Sequence, residues 1–384
     1  MGRSIFRHPS RASPDARPAS PAHVPDAPVT RTRWLITLVS FAGAVGASIW
    51  LVWSSWPQQG GSLVLPWSAH LLAAGAAISE VTLRAIKIAL SARAIGVPLT
   101  VWTALRVSLG GDFGAAVTPA RSGAEPARFL IMAEARTPVA GAVLVLWLEL
   151  VLEMLSLATI AVVIALFFKY DAGGAVKSVV AVIGAYAATV LGASAFGIAL
   201  SRNNANGPPP RWAARVGLHA GRWRTIQRSL RQLRDGVGRV RGANKALMFG
   251  SYVSSALHVA FRLCVLPALV LTSFPEVPFE RLVAWPLALL YGAAVVPAPG
   301  GGGAVELAFK QTLGETIPVA IFGAALVWWR FYTFYVYIVA GALVAGSAVM
   351  RALRKKGEEG PVGAALAAAD APAPPRRGTP TTAA

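Results

Sequence analysis

Six long apolar runs dominate this sequence and set what it can fold into. They cover 34–54, 69–92, 138–168, 175–200, 246–273 and 318–350. A helix needs about 20 apolar residues to cross a hydrocarbon core of about 30 Å, and each run reaches that length. Strands of a closed barrel would alternate over segments of about 10 residues, and the run from Val139 to Phe168 does not alternate. The sequence therefore predicts an all-α, polytopic membrane helix bundle with six full spans.

Basic residues are concentrated outside the apolar runs. Of the 36 Lys and Arg, six lie in 1–33, eleven in 201–245 and six in 351–384, whereas 54–67 contains none. Cytoplasmic loops of membrane proteins are enriched in Lys and Arg, so we place these three segments and both termini on the cytoplasmic side of the cell membrane. The net charge of +19 comes largely from these segments, and we predict no nucleic-acid partner.

Composition divides the chain into a membrane domain and two tails. The tails 1–33 and 351–384 are rich in small and polar residues, and we expect both to be disordered. Between them, 34–350 is a transmembrane domain with a first half, 34–200, and a second half, 246–350. A cleavable signal peptide is the alternative interpretation of the first run, but the long segment before it favours a membrane anchor.

A basic amphipathic pattern lies between the two halves. Within 222–241, apolar side chains recur at spacings of three and four, and arginines stand between them. Such a helix can lie on an anionic leaflet, with about 1 kcal/mol of attraction from each basic residue, and we predict membrane lipids as its partner. The alternative is a solvated linker helix that caps the bundle.

Two shorter apolar segments, 100–117 and 282–296, each end in a run of proline and glycine. Pro119 and Gly123 after the first segment have the same spacing as Pro299 and Gly303 after the second. An alanine and then a glutamate follow each of the two glycines. The two elements therefore look like one structural device used twice.

The predicted topology gives these two segments opposite orientations. The first enters the membrane from inside and the second from outside, which predicts two re-entrant helical hairpins arranged as an inverted repeat. Interrupted segments at matching places in two halves indicate the substrate site of a transporter. Unwound backbone at membrane depth also requires a cavity or surrounding protein. The alternative is a helix-loop-helix turn at the membrane surface.

Ionisable residues inside the apolar runs cost at least about 2.5 kcal/mol each at a helix centre, so they normally face a cavity or a partner. Glu149 and Glu153 lie four residues apart, on one face of a helix. Glu149 either serves function, by contact with a proton or a head group, or pairs with a buried arginine. Arg330 is central in its run, and we predict that it clamps a phosphate. Arg84 and Lys87 are expected to snorkel toward the membrane surface.

The glycine run from Gly300 to Gly303 brings backbone N–H groups together at the start of a helix, where an anion can bind. The alternative is that these glycines only permit a tight turn. Glu306, one turn later, is expected to cap this helix or to bind a cationic group. No Gly-Lys-Ser or Gly-Lys-Thr follows, so we predict neither a nucleotide site nor any other cofactor.

The sequence offers no pattern for a metal site. Cys264 is the single cysteine and lies in an apolar run, and the five histidines are scattered without ligand spacing. We predict no metal and no intrachain disulfide.

The two interrupted segments also carry a family resemblance. With 108–125, the following Arg128, 296–306 and the later Arg330, the sequence resembles the lysylphosphatidylglycerol synthase transmembrane-region family of flippase-like membrane proteins. The resemblance covers about residues 34 to 350. At the first segment the family usually has Pro-Gly-x-x-Gly-Gly, whereas this chain departs from that pattern.

The resemblance implies movement of a polar or charged lipid, such as a (glyco)phospholipid, between leaflets of the cytoplasmic membrane. No synthase domain is expected after Lys356, so we do not expect an enzyme. The predicted substrate-binding residues, from the motifs and the buried charges together, are Pro119, Gly123, Glu125, Arg128, Glu149, Glu153, Pro299, Gly300, Gly301, Gly303, Glu306 and Arg330.

Two other functions remain open at the level of sequence. One is a membrane-embedded enzyme that modifies a lipid with a buried carboxylate as acid or base. The other is a non-transporting scaffold that binds a lipid-synthesis enzyme as its partner. The sequence does not indicate the oligomeric state.

Overall fold

The structure is a computed structural model, and it describes residues 64–116, 121–167, 173–204, 234–292 and 303–346, with the single positions 46, 50, 118 and 231. Within 173–204 it describes side chains only for 181–199. Both predicted disordered tails, nearly all of the first apolar run and most of the basic amphipathic segment lie outside the described residues.

The described residues form helices and contain no strand. In chain order the helices are α1 Trp67–Ala94, α2 Val101–Ala116, α3 Ala124–Glu134, α4 Val139–Phe167, α5 Gly173–Asn204, α6 Lys245–Val270, α7 Phe279–Gly292, α8 Ala304–Leu313 and α9 Val319–Arg330. A π-helical turn, Phe331–Tyr335, carries α9 onward, so that it runs as one span to Gly346.

Four helical segments are long and apolar enough to cross a membrane. They are Val139–Leu166, Ala181–Ala199, Lys245–Val270 and Val319–Gly346. Helix α1 matches the predicted run 69–92, and its 28 residues extend over roughly 42 Å, but one glutamate and three Lys or Arg residues interrupt its apolar sequence. The all-helical membrane bundle is thus confirmed for the described residues. The count of six spans stays a prediction.

The two interrupted segments form two pairs of short helices. Helices α2 and α3 have 16 and 11 residues, and α7 and α8 have 14 and 10. At 1.5 Å per residue these helices span roughly 15 to 24 Å, less than the hydrocarbon core of about 30 Å. We call α2 with α3 the first helix pair and α7 with α8 the second. A long helix precedes and follows each pair.

The long helices that precede the two pairs, α1 and α6, are antiparallel neighbours. The N–H of Asn244, before the first turn of α6, donates to the carbonyl of Ala94 at the end of α1, at 3.3 Å. Two turns into α6, the Ser251 hydroxyl donates to the carbonyl of Lys87, at 2.8 Å. The start of α6 therefore lies beside the end of α1.

Two apolar cores form within the bundle, one toward each end. The first core joins the end of α1 and the start of α4 to the first helix pair. Its buried residues include Ile88, Val97, Val107, Ile131 and Val145. The second core joins the start of α1 and the end of α4 to the second helix pair. Its buried residues include Ala69, Leu157, Leu266, Leu287 and Phe309. The two pairs therefore pack at opposite ends of the bundle.

Candidate functional site

A small cavity of about 40 Å³ lies where the two helix pairs approach each other between the cores. One buried water needs about 10–15 Å³ on this measure, so the cavity has room for roughly three. The first pair, α6, α7 and α9 all contribute to its wall. The lining residues are Asp112, Ala115, Ala116, Arg121, Arg262, Leu289, Leu290, Arg330, Thr333, Phe334, Tyr337 and Ile338. Both interrupted segments thus border one cavity.

Three arginines, Arg121, Arg262 and Arg330, line this cavity. Arg330 donates from Nε to Glu306 Oε1 at 2.8 Å, and its guanidinium lies 4.4 Å from the centre of the Phe334 ring. By contrast, no carboxylate of the described residues lies within 4 Å of Arg121 or Arg262. The Nε of Arg262 is buried and has no hydrogen-bond partner among the described residues.

Asp112 is the one carboxylate that lines the cavity within the described part of the chain. Arg84 binds it with both terminal nitrogens, at 3.0 and 2.6 Å. The Nε of Arg84 also lies 3.4 Å from Glu80 Oε1, four residues earlier on α1. The negative charge of Asp112 is therefore already held by a neighbouring cation.

A cluster of ion pairs continues from the cavity toward α4. Lys87 Nζ lies 2.7 Å from Glu153 and 3.6 Å from Glu149. Glu149 also lies 3.2 Å from Arg128 of α3, and His258 Nε2 lies 3.7 Å from Glu153. Of the two interpretations given for Glu149, the structure has the pairing with an arginine.

The snorkelling predicted for Arg84 and Lys87 is wrong. Only 4% of Arg84 and 0% of Lys87 is exposed, and both side chains pair with carboxylates inside the protein. The prediction assumed a helix end at the membrane surface. Instead, this part of α1 is covered by α2, α4 and α6, so the cations find partners there rather than in water.

A tight turn joins the two helices of the first pair. The Thr118 hydroxyl accepts from the N–H of Gly123 and donates to the carbonyl of Gly114, both at 2.7 Å. A Cβ on Gly123 would lie 2.7 Å from that carbonyl oxygen, so glycine is needed for this approach. Within the turn Arg121 has a φ of 58°, which a residue other than glycine adopts rarely. Pro119 lies outside the described residues.

The second pair has Glu306 at its turn. Gly303 has a φ of 81°, and its N–H donates to Glu306 Oε2 at 2.9 Å, so Glu306 caps α8 as one of its two predicted roles. The other carboxylate oxygen accepts from Arg330. The N–H of Gly303 is thus already used by a side chain of this protein. Pro299, Gly300 and Gly301 lie outside the described residues.

Two ion pairs occupy matching positions in the two halves. Arg128 of α3 pairs with Glu149 of α4, and Glu306 of α8 pairs with Arg330 of α9. Each ion pair joins the second helix of a helix pair to the long helix that follows. In the first half the arginine is on the short helix and the glutamate on the long one, and in the second half the reverse holds. Glu125 pairs with Arg128 at 3.2 Å, but its side chain is 62% exposed.

Three contributors to the site were not predicted from the sequence. Two are Arg121 and Arg262, although Arg262 is an arginine within an apolar run, the feature that identified Arg330. The third is the π-helical turn in α9, which places Thr333 and Phe334 on the cavity. Such turns are frequent at functional sites, but no sequence pattern marks this one.

Comparison with known proteins agrees with this architecture. No curated protein matches the sequence at a significant level. A family model, described as lysylphosphatidylglycerol synthase TM region, matches residues 32–341, which include both helix pairs, the cavity and the ion pairs. The match also covers most of the region over which the resemblance was predicted. The chain therefore belongs to the lysylphosphatidylglycerol synthase TM region family of membrane proteins, which are connected with lipid metabolism or transport.

Proposed function

We propose that this protein is a lipid flippase-like transporter that moves a polar or charged lipid between the leaflets of the cell membrane. The supporting observation is the cavity, which two interrupted helix pairs border and three arginines line. Cations inside a membrane helix bundle mark substrate pathways, because their placement there is otherwise unfavourable. Guanidinium groups also match the geometry of a phosphate.

The packing supports two opposed halves. In the proposal, the first helix pair enters from the cytoplasmic side and the second from the outside, as in transporters built from inverted repeats. The antiparallel packing of α1 and α6 and the location of the two pairs in cores at opposite ends favour this arrangement. Both termini and the basic segment 222–241 are then cytoplasmic, and that segment faces anionic lipids.

The size of the cavity favours transport of the head group alone through the protein. A cavity of about 40 Å³ is far too small for an acyl chain, so in the proposal the chains stay in the bilayer while only the head group passes the arginines. The two matching ion pairs, Arg128 with Glu149 and Glu306 with Arg330, fasten each helix pair to its following long helix. In the proposal, each of these two ion pairs holds its helix pair in the position that closes the cavity on one side of the membrane.

Cysteine labelling tests the opposed halves. In a Cys264→Ser background, single cysteines replace Ala135, in the loop after the first pair, and Glu315, in the loop after the second; both positions are exposed. With intact vesicles, a membrane-impermeant maleimide added outside is expected to label one position, and labelling of the other is expected only after permeabilisation. Labelling of both from the same side would contradict the inverted arrangement.

Lipid exchange in proteoliposomes tests transport itself. The protein is expected to speed the loss of fluorescence when a quencher is added outside to vesicles with labelled phospholipids. A hydrogen bond to a charged group contributes about 1.5–3 kcal/mol, so Arg262→Gln is expected to slow exchange by about 10-fold or more. Arg106, which pairs with Glu134 outside the cavity, supplies the control Arg106→Gln, expected to change the rate less than about twofold.

Two outcomes of this assay would contradict the proposal. Equal rates for the wild type and Arg262→Gln would remove the cavity as the site of transport. If lipids of no charge class are exchanged, the protein is not a lipid transporter. If a lipid is chemically altered instead, the protein is a membrane-embedded enzyme.

A further inference from the structure

The charges around the cavity indicate which head groups it accepts. On the basis of the proposed function, we infer that the substrate is a lipid with a dianionic head group, a phosphomonoester, rather than a zwitterionic or cationic lipid. The inference depends on which charges of the cavity wall are already neutralised and which are not.

Two of the four charged groups in the wall have partners. Arg330 is bound to Glu306, and Asp112 is bound to Arg84. The other two, Arg121 and Arg262, have no carboxylate within 4 Å among the described residues, and they repel each other electrostatically. Among the residues that line the cavity, three arginines face one carboxylate, so the lining itself has two more positive than negative charges.

Two stretches that adjoin the wall residues in the sequence contain no carboxylate. Residues 293–302, between α7 and α8, and residues 117, 119 and 120, in the first turn, contain no ionisable side chain. Arg121 and Arg262 are only partly exposed, and a cation that has lost much of its water and has no partner is unfavourable, so a doubly negative ligand is the group that best completes this site. A phosphomonoester carries close to two negative charges at neutral pH.

The cavity offers no position for a cationic head group. The one carboxylate in the described wall, Asp112, accepts from Arg84 with both oxygens, so its charge is already shared with a cation and attracts an ammonium group less. The two aromatic rings of the wall are also engaged by protein cations. Phe334 stacks against Arg330 at 4.4 Å, and Tyr337 against Arg84 at 5.4 Å. A zwitterion would bring an ammonium group that finds neither a carboxylate nor an open ring face.

Binding to the full chain in nanodiscs tests the head-group class. Affinities are measured for short-chain phosphatidic acid, phosphatidylglycerol and phosphatidylethanolamine, whose head groups carry about two, one and zero net negative charges. Phosphatidic acid is expected to bind at least about 10-fold more tightly than either of the others. Equal affinity for the three lipids would overturn the inference.

Variants assign the preference to the two arginines. Arg121→Gln and Arg262→Gln are each expected to weaken phosphatidic acid about 10-fold and to narrow its advantage over phosphatidylglycerol. Arg262→Lys retains the charge and is expected to keep more of that advantage, whereas Arg106→Gln is expected to leave it unchanged. If Arg262→Gln folds, as judged by an unchanged melting temperature, and keeps the full preference, the inference is wrong. Arg262→Lys decides in the same way if the glutamine variant does not fold.

Two further measurements distinguish a lipid head group from free phosphate as the ligand, and the head-group inference from the proposed transport. Inorganic phosphate is expected to compete only weakly, and competition as strong as that of phosphatidic acid would show a site for free phosphate instead of lipid. Selective binding without lipid exchange would contradict transport while supporting the head-group class. Exchange that favours zwitterionic lipids would support transport and overturn the head-group class.

Discussion

The buried pair of Glu306 and Arg330 allows a sharp test of how the second helix pair is held. The Glu306→Ala variant removes a carboxylate that is 2% exposed, and with it the ion pair at 2.8 Å to Arg330, which is 4% exposed. It also removes the oxygen that caps the N–H of Gly303. The substitution therefore acts on a charge and a helix start together.

The expected magnitude follows from the burial of both groups. Removal of one member of a buried ion pair costs about 3–5 kcal/mol, because the other charge is left uncompensated. The double variant Glu306→Gln with Arg330→Gln leaves no charge behind. We expect it to lose less than half of what Glu306→Ala loses, although it changes two residues.

The free energy of unfolding is measured by denaturation in mixed detergent micelles, for the wild type, both single glutamine variants, Glu306→Ala and the double variant. Glu134→Ala is the matched control, since it breaks the pair with Arg106 in which the side chains are 18% and 32% exposed. The control is expected to cost about 0–1 kcal/mol. If Glu306→Ala costs no more than the control, or if the single effects simply add in the double variant, the pair does not hold α8 to α9.

Two further predictions concern the first half of the chain. Gly123→Ala is expected to lower the free energy of unfolding by about 1–3 kcal/mol, because its Cβ would lie 2.7 Å from the Gly114 carbonyl oxygen. The control Gly184→Ala has open space around its Cβ and is expected to be neutral or slightly stabilising. Equal effects of the two variants on thermal unfolding would argue against the tight turn. Lys87→Met is expected to lower the free energy of unfolding by about 3–5 kcal/mol, since it leaves Glu149 and Glu153 without their shared cation. The control Lys310→Met replaces an exposed lysine and is expected to change this free energy by no more than about 0.5 kcal/mol. An equally small change for Lys87→Met in the same denaturation assay would show that Lys87 does not form these ion pairs.

The features that the sequence predicted well depend on short stretches of chain. The length of an apolar run fixes whether a helix can span the membrane, which is why helices such as α4 and α6 were found. Proline and glycine interrupt a helix locally, so both helix pairs were placed. An arginine in lipid is energetically unfavourable whatever its neighbours are, so Arg330 could be predicted as a site residue from the sequence alone.

The partners of the buried charges could not be predicted, because they depend on how distant helices pack. Lys87 and Glu153 are 66 residues apart in the chain, and Arg84 and Asp112 are 28 apart. Before packing is known, each ionisable residue of α1 has several equally good partners, including water at the membrane surface. The cavity itself arises from four separate parts of the chain and has no local sequence pattern.

The placement of these charges argues that the central ion pairs serve function more than stability. Buried ion pairs are often no more stabilising than apolar side chains of similar volume, since each charge loses its water. Apolar packing is also available in this bundle, because an apolar core lies on either side of the ion pairs. In a protein selected for stability alone, apolar side chains would be expected in place of the ion pairs, so that the two cores became one. Here the carboxylates neutralise Arg84, Lys87, Arg128 and Arg330, whereas Arg121 and Arg262 at the cavity have no carboxylate partner among the described residues. The ion pairs therefore fix the helices around a cavity wall in which two arginines have no carboxylate within 4 Å among the described residues.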